Sequence, residues 1–447
     1  MAKYKTYPEY RDSGVEWLGE IPINWSLKKA KYIFEKIQRP LRNIDGVVTA
    51  FRDGQVTLRV NRRNDGFTNS VKEIGYQGVR SGDLIIHAMD GFAGAIGVSD
   101  SDGKCSPVCS VCIPWKRESV NIYFYGYLVR QLAVTDFILS LAKGIRERST
   151  EFRFSEFSGL VLAIPPKDEQ DKIVAFLKHE TIKIDTLIDK QQQLIKLLKE
   201  KSQAVISHAV TKGLNPDVPM KDSGVEWLGA IPRNWNCVAI KNICKIVNGS
   251  TPKSSIEEYW DGDIDWFTPT DLSHKETIQV NDSLRKITNS GFLSCGTTMV
   301  PANTVILSSR APIGSLAITK KSACTNQGCK SLVTFSAQLS KYIYYSLLTF
   351  NSPLNNLGRG STFLELSSDD LGGFKISLPN DDMGEIIKYI DMTILKIDNL
   401  IEKQLQQIAL LKERRTALIS SAVTGKIDVR HWRAPDEQTA AEAEAVV

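Results

Sequence analysis

No apolar run in the 447-residue chain approaches the roughly 20 residues a helix needs to cross a bilayer, so a membrane-spanning helix is not expected. The opening stretch, MAKYKTYPEYRDSG, has no apolar centre of a secretory signal, and the chain is expected to remain in the cytoplasm. The five histidines are scattered and none falls in an HExxH pattern, which removes the commonest zinc-hydrolase reading. There is no G-x4-G-K-[ST] phosphate loop; Gly91 to Gly97 gives only a G-x2-G-x2-G turn. The Asn/Asp-Pro-Pro-Tyr/Phe signature of amino-group methyltransferases is missing as well, since Pro165-Pro166 is followed by Lys167. Eight cysteines show no disulfide-like spacing, and reduced thiols are the expectation. Charge is nearly balanced, with 56 Lys and Arg against 51 Asp and Glu, and a net charge of +5 that permits a polyanionic partner without requiring one. With 42% hydrophobic and 24% charged residues the composition is that of a globular protein, and the length calls for two to four domains.

What the chain does have is itself, twice. Residues 12–25 read DSGVEWLGEIPINW and residues 222–235 read DSGVEWLGAIPRNW, identical at twelve of fourteen positions at an offset of 210. A second match follows at an offset of 213: Ile184-Asp185-Thr186-Leu187-Ile188 returns as Ile397-Asp398-Asn399-Leu400-Ile401, and Ala209-Val210-Thr211 as Ala422-Val423-Thr424. Between these landmarks, residues 26–163 and 236–376 share little sequence. The order is short motif, variable block, conserved helix, and then the same again. Near-identical parts should do one job twice, and divergent parts should do related but distinct jobs.

The spans 168–212 and 381–424 contain no proline and are rich in Leu, Ile, Lys, Glu and Gln, which predicts two long helices. Pro165, Pro166 and Pro379 mark their starts, and Gly213 and Gly425 their ends. Apolar residues recur at alternating spacings of four and three along Ile184, Ile188, Gln191, Ile195, Leu198 and along Ile397, Ile401, Gln404, Ile408, Leu411, which is the pattern of a coiled-coil seam. About 40 helical residues make a rod of roughly 60 Å, a spacer able to hold two domains a fixed distance apart. An ordinary helical hairpin inside one core is the blander reading, but the length exceeds that of typical globular helices.

Each variable block mixes strand and helix signals. Asp83–Ile86 and Thr304–Leu307 read as buried strands, Gly94 and Gly314 as turns, Ala95–Val98 and Ser315–Ile318 as the next strands, with helices near 121–142 and 338–350. The matched pieces predict one α+β fold carrying two different surfaces.

At this point the resemblance becomes specific. The DSGVEWLGxIPxNW motif, the Asn248-Gly249-Ser250-Thr251-Pro252 opening, Tyr259-Trp260, Asp265-Trp266, Asn326-Gln327-Gly328, Gly360-Ser361-Thr362 and the exit Ile164-Pro165-Pro166 through Glu169-Gln170-Asp171-Lys172-Ile173 resemble the DNA-specificity (S) subunit of type I restriction–modification systems. The resemblance covers nearly the whole chain. The first block shows no sequence counterpart of Asn326-Gln327-Gly328, and the second exit, Leu378-Pro379-Asn380 with Gly384-Glu385, departs from the family's usual Glu-Gln.

The resemblance implies an α+β protein with two target-recognition domains of α/β type separated by two long antiparallel helices, related by an internal pseudo-twofold repeat. The corresponding segments are 1–163, first recognition domain with the repeated motif; 164–214, first conserved helix; 215–377, second recognition domain; 378–430, second helix; and 431–447, an Ala/Glu-rich tail. It implies a non-catalytic subunit that takes no cofactor of its own. Each domain would read one half of a bipartite asymmetric site in double-stranded DNA. Two methylation (M) subunits would dock on the helices, carrying S-adenosylmethionine, and restriction (R) subunits would join them. Arginine suits guanine, and Asn or Gln suits adenine. Candidate DNA contacts are Arg52, Arg59, Arg62, Arg63, Asn64, Lys72, Arg146 and Arg148 in the first block, and Lys253, Lys275, Arg310, Asn326, Gln327 and Arg359 in the second. Trp17, Trp25, Trp227 and Trp235, nearly identical in context in both halves, are expected to anchor the repeated motif against the helix base.

Two rival readings stand beside this one. A coiled-coil scaffold without DNA would share the repeat. An enzyme built on Cys105, Cys109 and Cys112 would use a C-x3-C-x2-C spacing similar to the iron–sulfur motif of radical S-adenosylmethionine enzymes. Against the enzyme, Val111 fills a position usually aromatic there, no β/α-barrel repeat surrounds it, and the second half keeps only Cys329 opposite Cys109. Small buried side chains are the commoner fate of such thiols.

Overall fold

The structure, a computed structural model, describes residues 4–62, 74–140, 151–273, 277–310, 312–359 and 364–434. The chain divides into two compact units, residues 1–191 with 406–447, and residues 192–405.

The first unit is built on a four-stranded antiparallel sheet. Its strands are β1 (Phe34–Ile37), β2 (Leu84–His87), β3 (Ile96–Val98) and β4 (Cys109–Pro114), in the order β1-β4-β2-β3. Val111 at the middle of β4 pairs with Ile37 on one side and Ile85 on the other. Short runs of Ile, Leu, Val and Cys buried on both faces explain why these segments read as continuous apolar stretches. Helix α1 (Ile122–Val134) covers the sheet, capped by Asn121, whose side chain accepts from the Tyr123 and Phe124 amides. Helix α2 (Lys167–Lys212) follows; its residues up to 191 belong to this unit and the remainder to the second.

The second unit repeats the plan. Strands β5 (Cys244–Asn248), β6 (Val305–Ser308), β7 (Leu316–Thr319) and β8 (Cys329–Thr334) run in the order β5-β8-β6-β7, and a short fifth strand, Gln279–Val280, joins β7 in parallel. Ser331 of β8 pairs with Val247 and Ile306, the same register that Val111 keeps in the first sheet. Helix α3 (Ala337–Thr349) covers this sheet, capped by the Ser336 hydroxyl. Helix α4 (Met383–Val423) contributes its first part here and residues from 406 to the first unit. Beside the second sheet lies a small three-stranded sheet of Trp260–Phe267, Lys286–Ile287 and Cys324–Thr325, with Trp260 and Trp266 packed edge to face; the first unit has two strand pairs instead, Val48–Ala50 with Val56–Leu58 and Gln77–Val79 with Gly103–Cys105.

The repeated motif forms the same hairpin twice, Tyr10–Asp12 with Glu20–Pro22 and Met220–Asp222 with Ala230–Pro232. The Asp12 carboxylate accepts from the Gly14 amide at 2.9 Å and that of Asp222 from Gly224 at 3.0 Å. The Asp-Ser-Gly of each copy is thus a turn, which explains its retention without any role in chemistry.

The helices pair head to tail. In the first unit Lys172 Nζ reaches the Arg430 carbonyl oxygen at 2.7 Å, just past the end of α4, while Asp185 further along α2 meets Arg415 at 2.9 Å. Advancing on one helix means retreating on the other, so they are antiparallel. In the second unit the Val210 carbonyl near the end of α2 accepts from Ser377 Oγ, just ahead of α4, at 2.5 Å. Here Ile206, Ala209 and Val210 share a core with Ile386, Ile387 and Ile390. The fold expected from the sequence, two α+β units with two long antiparallel helices and an internal repeat, is the one observed.

Along the helices, Ile184, Ile188 and Ile408 are buried in the first unit, where Gln191 and Leu411 are half-buried; Ile397 is buried in the second, where Ile195, Leu198, Ile401 and Gln404 are half-buried. Gly213 and Gly425 both stand at φ +76°, a conformation that a Cβ disfavours, and each ends its helix against a tryptophan. Gly213 meets Trp235, and Gly425 meets Trp25. Each hairpin therefore sits where a helix ends: the first on the end of α4, the second on the end of α2.

Candidate nucleic-acid interface

Strand direction decides which loops meet. In the first sheet β1 and β2 end, and β4 and β3 begin, at one edge, which places the loops after His87 and before Cys109 side by side. Ala88 N donates to the Val108 oxygen at 2.9 Å, and Phe152 N to the Ala88 oxygen at 2.8 Å. The second sheet repeats these bonds: Ser309 N to the Gly328 oxygen at 2.8 Å, and Leu366 N to the Ser309 oxygen at 2.8 Å. Ser106-Pro107-Val108 is therefore the spatial counterpart of Asn326-Gln327-Gly328, a correspondence the sequence does not show because only the backbone is shared.

On the second unit this edge gathers four of the candidate residues. Arg310 reaches Glu365 at 3.1 Å, Arg359 reaches Asp370 at 2.9 Å, and the Arg359 backbone pairs with that of Glu365. Both guanidinium groups are open to solvent, with side chains 45% and 81% exposed. The Asn326 carboxamide oxygen accepts from the Gly328 amide at 3.0 Å, fixing the turn, while the exposed Gln327 carboxamide accepts from the Thr251 hydroxyl. Gly249 lies against the carbonyls of Thr325 and Asn326, where a Cβ would stand 2.1 Å from the Asn326 oxygen, so the Asn-Gly-Ser-Thr opening packs onto the same turn. Lys253 is exposed on the loop beyond it. Sequence reasoning missed Lys330, which is buried at this edge. Burial lowers the affinity of its ammonium for the proton, with Glu365 opposing and Arg310 reinforcing the shift. A lysine within a run of strand residues gives no signal of this kind.

On the first unit the edge carries a two-stranded hairpin, Val48–Ala50 with Val56–Leu58, flanking a cleft of about 620 Å³. Arg52, Arg59, Arg62 and His87 line it. Arg52 pairs with Asp90 at 2.8 Å, and Arg62 pairs with Asp53 at 2.6 Å while lying 4.3 Å over the Phe51 ring. Arg59 Nε faces the Thr49 hydroxyl at 3.3 Å. Burial alone would push the Asp53 carboxyl up; the Arg62 hydrogen bond and the Gln55 amide outweigh it and hold it below the usual carboxylate range. Exposed ion pairs of this sort contribute about 0–1 kcal/mol, so these guanidinium groups can exchange a carboxylate for a phosphate or a base edge at small cost. Arg63, Asn64, Lys72, Arg146, Arg148 and Lys275 lie outside the described residues.

His87 gives this edge a pH dependence. Burial lowers its proton affinity, and its Nδ1 accepts from the Asp90 amide at 3.0 Å, a bond that imidazolium cannot keep. The folded chain therefore binds fewer protons than the unfolded one below about pH 6.5, the ordinary histidine value. This contribution is intact above that pH and is lost as pH falls through it. Melting curves across pH 7.5 to 5.5 should show a falling melting temperature that His87→Gln flattens; identical slopes for the two proteins would refute the assignment.

Cys105, Cys109 and Cys112 are all buried, and Cys109 and Cys112, three apart on β4, face opposite sides of the sheet. Burial pushes the Cys112 thiol up to about 12. Cys105 is raised further, chiefly by its hydrogen bond to Cys109 and then by burial. Cys329 opens β8 where Cys109 opens β4, as the sequence alignment of the halves predicts. Among the described residues no group of three or more His, Cys, Asp or Glu is arranged to hold a metal.

Of the four tryptophans, Trp25 and Trp235 close the hairpins onto the helix ends, while Trp17 and Trp227 pack on the variable blocks instead. Trp25 and Trp235 are buried, and Trp227 stacks on Phe374 with ring centroids 4.8 Å apart. Trp17 packs on Phe137 at 5.7 Å.

Residues 232–410 match the family described as type I restriction modification DNA specificity domain. The matched stretch is 179 of the 447 residues, and within it the chain carries a type I restriction modification DNA specificity domain. The chain is 36% identical over 189 residues to the type I restriction enzyme MjaIX specificity subunit of Methanocaldococcus jannaschii, a match covering 42% of this chain and 43% of that relative's length. The putative MjaX specificity subunit of the same organism is 23% identical over 434 residues, covering 92% of this chain and 96% of the relative. In fold, the chain is similar to one from a structure of a type I R-M system, with a TM-score of 0.70 and 17% identity over 91% of this chain and 99% of the other. The HsdS subunit of Thermoanaerobacter tengcongensis has a TM-score of 0.56 and 18% identity, covering 93% and 100%. Among the described residues no helix is long and apolar enough to cross a membrane.

Proposed function

We propose that the chain is the non-catalytic DNA-reading subunit of a type I restriction–modification complex, working in the cytoplasm, with each unit reading one half of a bipartite asymmetric site in double-stranded DNA. The observation that carries this reading is one sheet edge built twice with different side chains. His87-Ala88 with Ser106-Pro107-Val108 and the Arg52 hairpin occupies the place that Ser308-Ser309-Arg310 with Asn326-Gln327-Gly328 and Arg359 occupies in the second unit. Equal frameworks with unequal surfaces suit unequal half-sites, whereas a symmetric dimer would read a palindrome. The relatives named above are specificity subunits of type I restriction enzymes, which supports the same role here.

The helices serve as the spacer and as the dock for two methylation subunits, which bring S-adenosylmethionine, and restriction subunits complete the complex. Exposed leucines support the docking role. Leu194, Leu197, Leu400 and Leu405 on the second unit's helix stretches are 41–60% exposed, as are Leu187 and Leu410 on the first unit's. Apolar surface of this kind on a long helix is suited to being covered by a partner.

The test is to express the chain with its methylation subunit and map methylated bases by sequencing. Methylation at a two-part sequence with a fixed gap is expected. Methylation independent of sequence, or none at all with a methylation subunit shown to be bound, would favour a scaffold without DNA reading and overturn the proposal.

A further inference from the structure

Within the first unit, a second cleft of about 790 Å³ opens between the Phe51–Val56 turn, helix α1 and the stretches of α2 and α4 around Asp185 and Arg415. Three cations face it: Arg130 from α1, and Lys412 and Arg415 from α4. Two carboxylates also line it, and both are engaged. Asp53 is held by Arg62 at 2.6 Å, and Asp185 by Arg415 at 2.9 Å.

Arg130 is the exception. Its Nη2 reaches only the Arg52 carbonyl oxygen at 3.4 Å, its Nε is buried with no hydrogen-bond partner, and no carboxylate of the described residues lies within ion-pair distance. Burial, and after it the Arg415 charge, works against its protonated form. The side chain is pinned in place: a Cβ on Gly54 would stand 2.3 Å from both its Cδ and its Nε, and Gly54 holds φ +90°. Asp53 and Tyr127 favour its charged form, but Asp53 is already held by Arg62, so the half-buried guanidinium is only partly compensated. Nothing about the packing of α1 demands it, since a methionine would fill the same stem.

We propose that this cleft binds a phosphate-bearing ligand, with Arg130 as its central anchor, Lys412 as a second charge contact and Tyr123 and Tyr127 as its walls. The reasons are the buried Nε without a hydrogen-bond partner, the lack of a directly paired carboxylate among the described residues, the fork geometry with which guanidinium takes two oxygens of a phosphate, and a volume in the range of small-molecule sites. Two carboxylates already satisfied leave the site with an excess of positive charge, and an excess larger than one unit suits a multiply charged anion better than a single carboxylate. The same chemistry is offered by a free nucleotide and by a phosphate of the DNA backbone.

The test uses the full chain and inorganic pyrophosphate, followed by calorimetry and by melting temperature at constant ionic strength. The wild-type chain should bind and melt higher with pyrophosphate than with chloride. Arg130→Met should lower the affinity by about tenfold or more while melting no lower than wild type without ligand, since it removes a half-buried charge that is only partly compensated. Lys412→Ala, at an exposed position, should weaken binding severalfold with no change in folding. Competition by adenosine diphosphate would assign the site to a free nucleotide; displacement of pyrophosphate by a short DNA duplex, lost in Arg130→Met, would assign it to the DNA backbone. Absence of a pyrophosphate-dependent shift in the wild type, or unchanged affinity in Arg130→Met, would overturn the proposal.

Discussion

Glu169→Ala should lower the melting temperature of the chain by roughly 6–20 °C, a shift that follows from about 3–5 kcal/mol and the 2–4 °C per kcal/mol typical of a unit this size. Glu169 lies in the first turn of α2 and is 4% exposed. Its carboxylate accepts from the Trp25 indole at 2.8 Å, from the Asn24 amide at 3.1 Å, and from the Tyr7 hydroxyl. These donors belong to the N-terminal repeat segment, so one side chain ties that segment to the helix base. Alanine would leave the indole and hydroxyl buried without an acceptor, and each such orphan costs about 1–3 kcal/mol. Glu169→Gln keeps an acceptor oxygen and the shape, and should recover about half of the loss, because a neutral acceptor makes a weaker bond than a charged one. Calorimetric or circular-dichroism melts of the three proteins decide the matter; an alanine variant within 1–2 °C of wild type, a fraction of a kcal/mol, would show that the carboxylate holds nothing.

The neighbouring Gln170 explains why a Glu-Gln pair is useful here. Its amide donates to the Pro165 oxygen at 2.9 Å and to Ser119 at 3.3 Å, and its oxygen accepts from the Asn121 amide at 2.8 Å, which fixes the start of α1 on the start of α2. The second unit lacks this pair; there Asn380 ties the stretch ahead of α4 to the end of the repeated motif instead, donating to the Asn234 oxygen at 2.7 Å and accepting from Asn236 at 3.0 Å. The departure seen in the sequence thus comes with different bonds, made to the repeated motif rather than to the helix that covers the sheet.

The duplicated plan was legible because it rests on local patterns. The hairpin motif repeats as a string, the helices repeat as a seam of Ile and Leu, and β2, β6, β3 and β7 show up as short apolar runs within one residue of their observed places. Contacts that depend on return of the chain were not legible. Gly425 against Trp25 joins residues 400 apart in sequence, and no local pattern records it. The candidate interface was half legible for a similar reason. Arg310, Asn326, Gln327 and Arg359 stood out by residue type, and the sheet brings them to one edge. The equivalence of Ser106-Pro107-Val108 to Asn326-Gln327-Gly328 is carried by backbone hydrogen bonds, and Arg130 and Lys330 are ordinary charges until their burial is known.

On the proposed function, exchange of residues 26–163 for the corresponding block of a type I specificity subunit should change one half of the methylated site completely and leave the other half and the gap untouched. The sheet register makes the exchange mechanically sound. Ser26 pairs with Ile164, Leu27 with Ala163, and Lys29 with Val161, so the two cut points are neighbours on one antiparallel pair and the block leaves and returns at the same place. The second unit is closed in the same manner, Asn236 against Leu378. What the block offers to its surroundings is partly backbone, the Ser119 oxygen and Asn121 amide for Gln170, and partly side chain, Phe124 against Trp25 and Phe137 against Trp17. A block with the same loop lengths and apolar residues at positions 124 and 137 supplies these, while Trp25, Glu169 and the helix seam remain native on the other side of the cuts. Specificity can then vary without a matching change in the scaffold. Mapping methylated bases before and after the exchange reads the result directly: one altered half-site is expected, and alteration of both halves, or of the gap, would show that reading is shared between the units and refute the modular assignment.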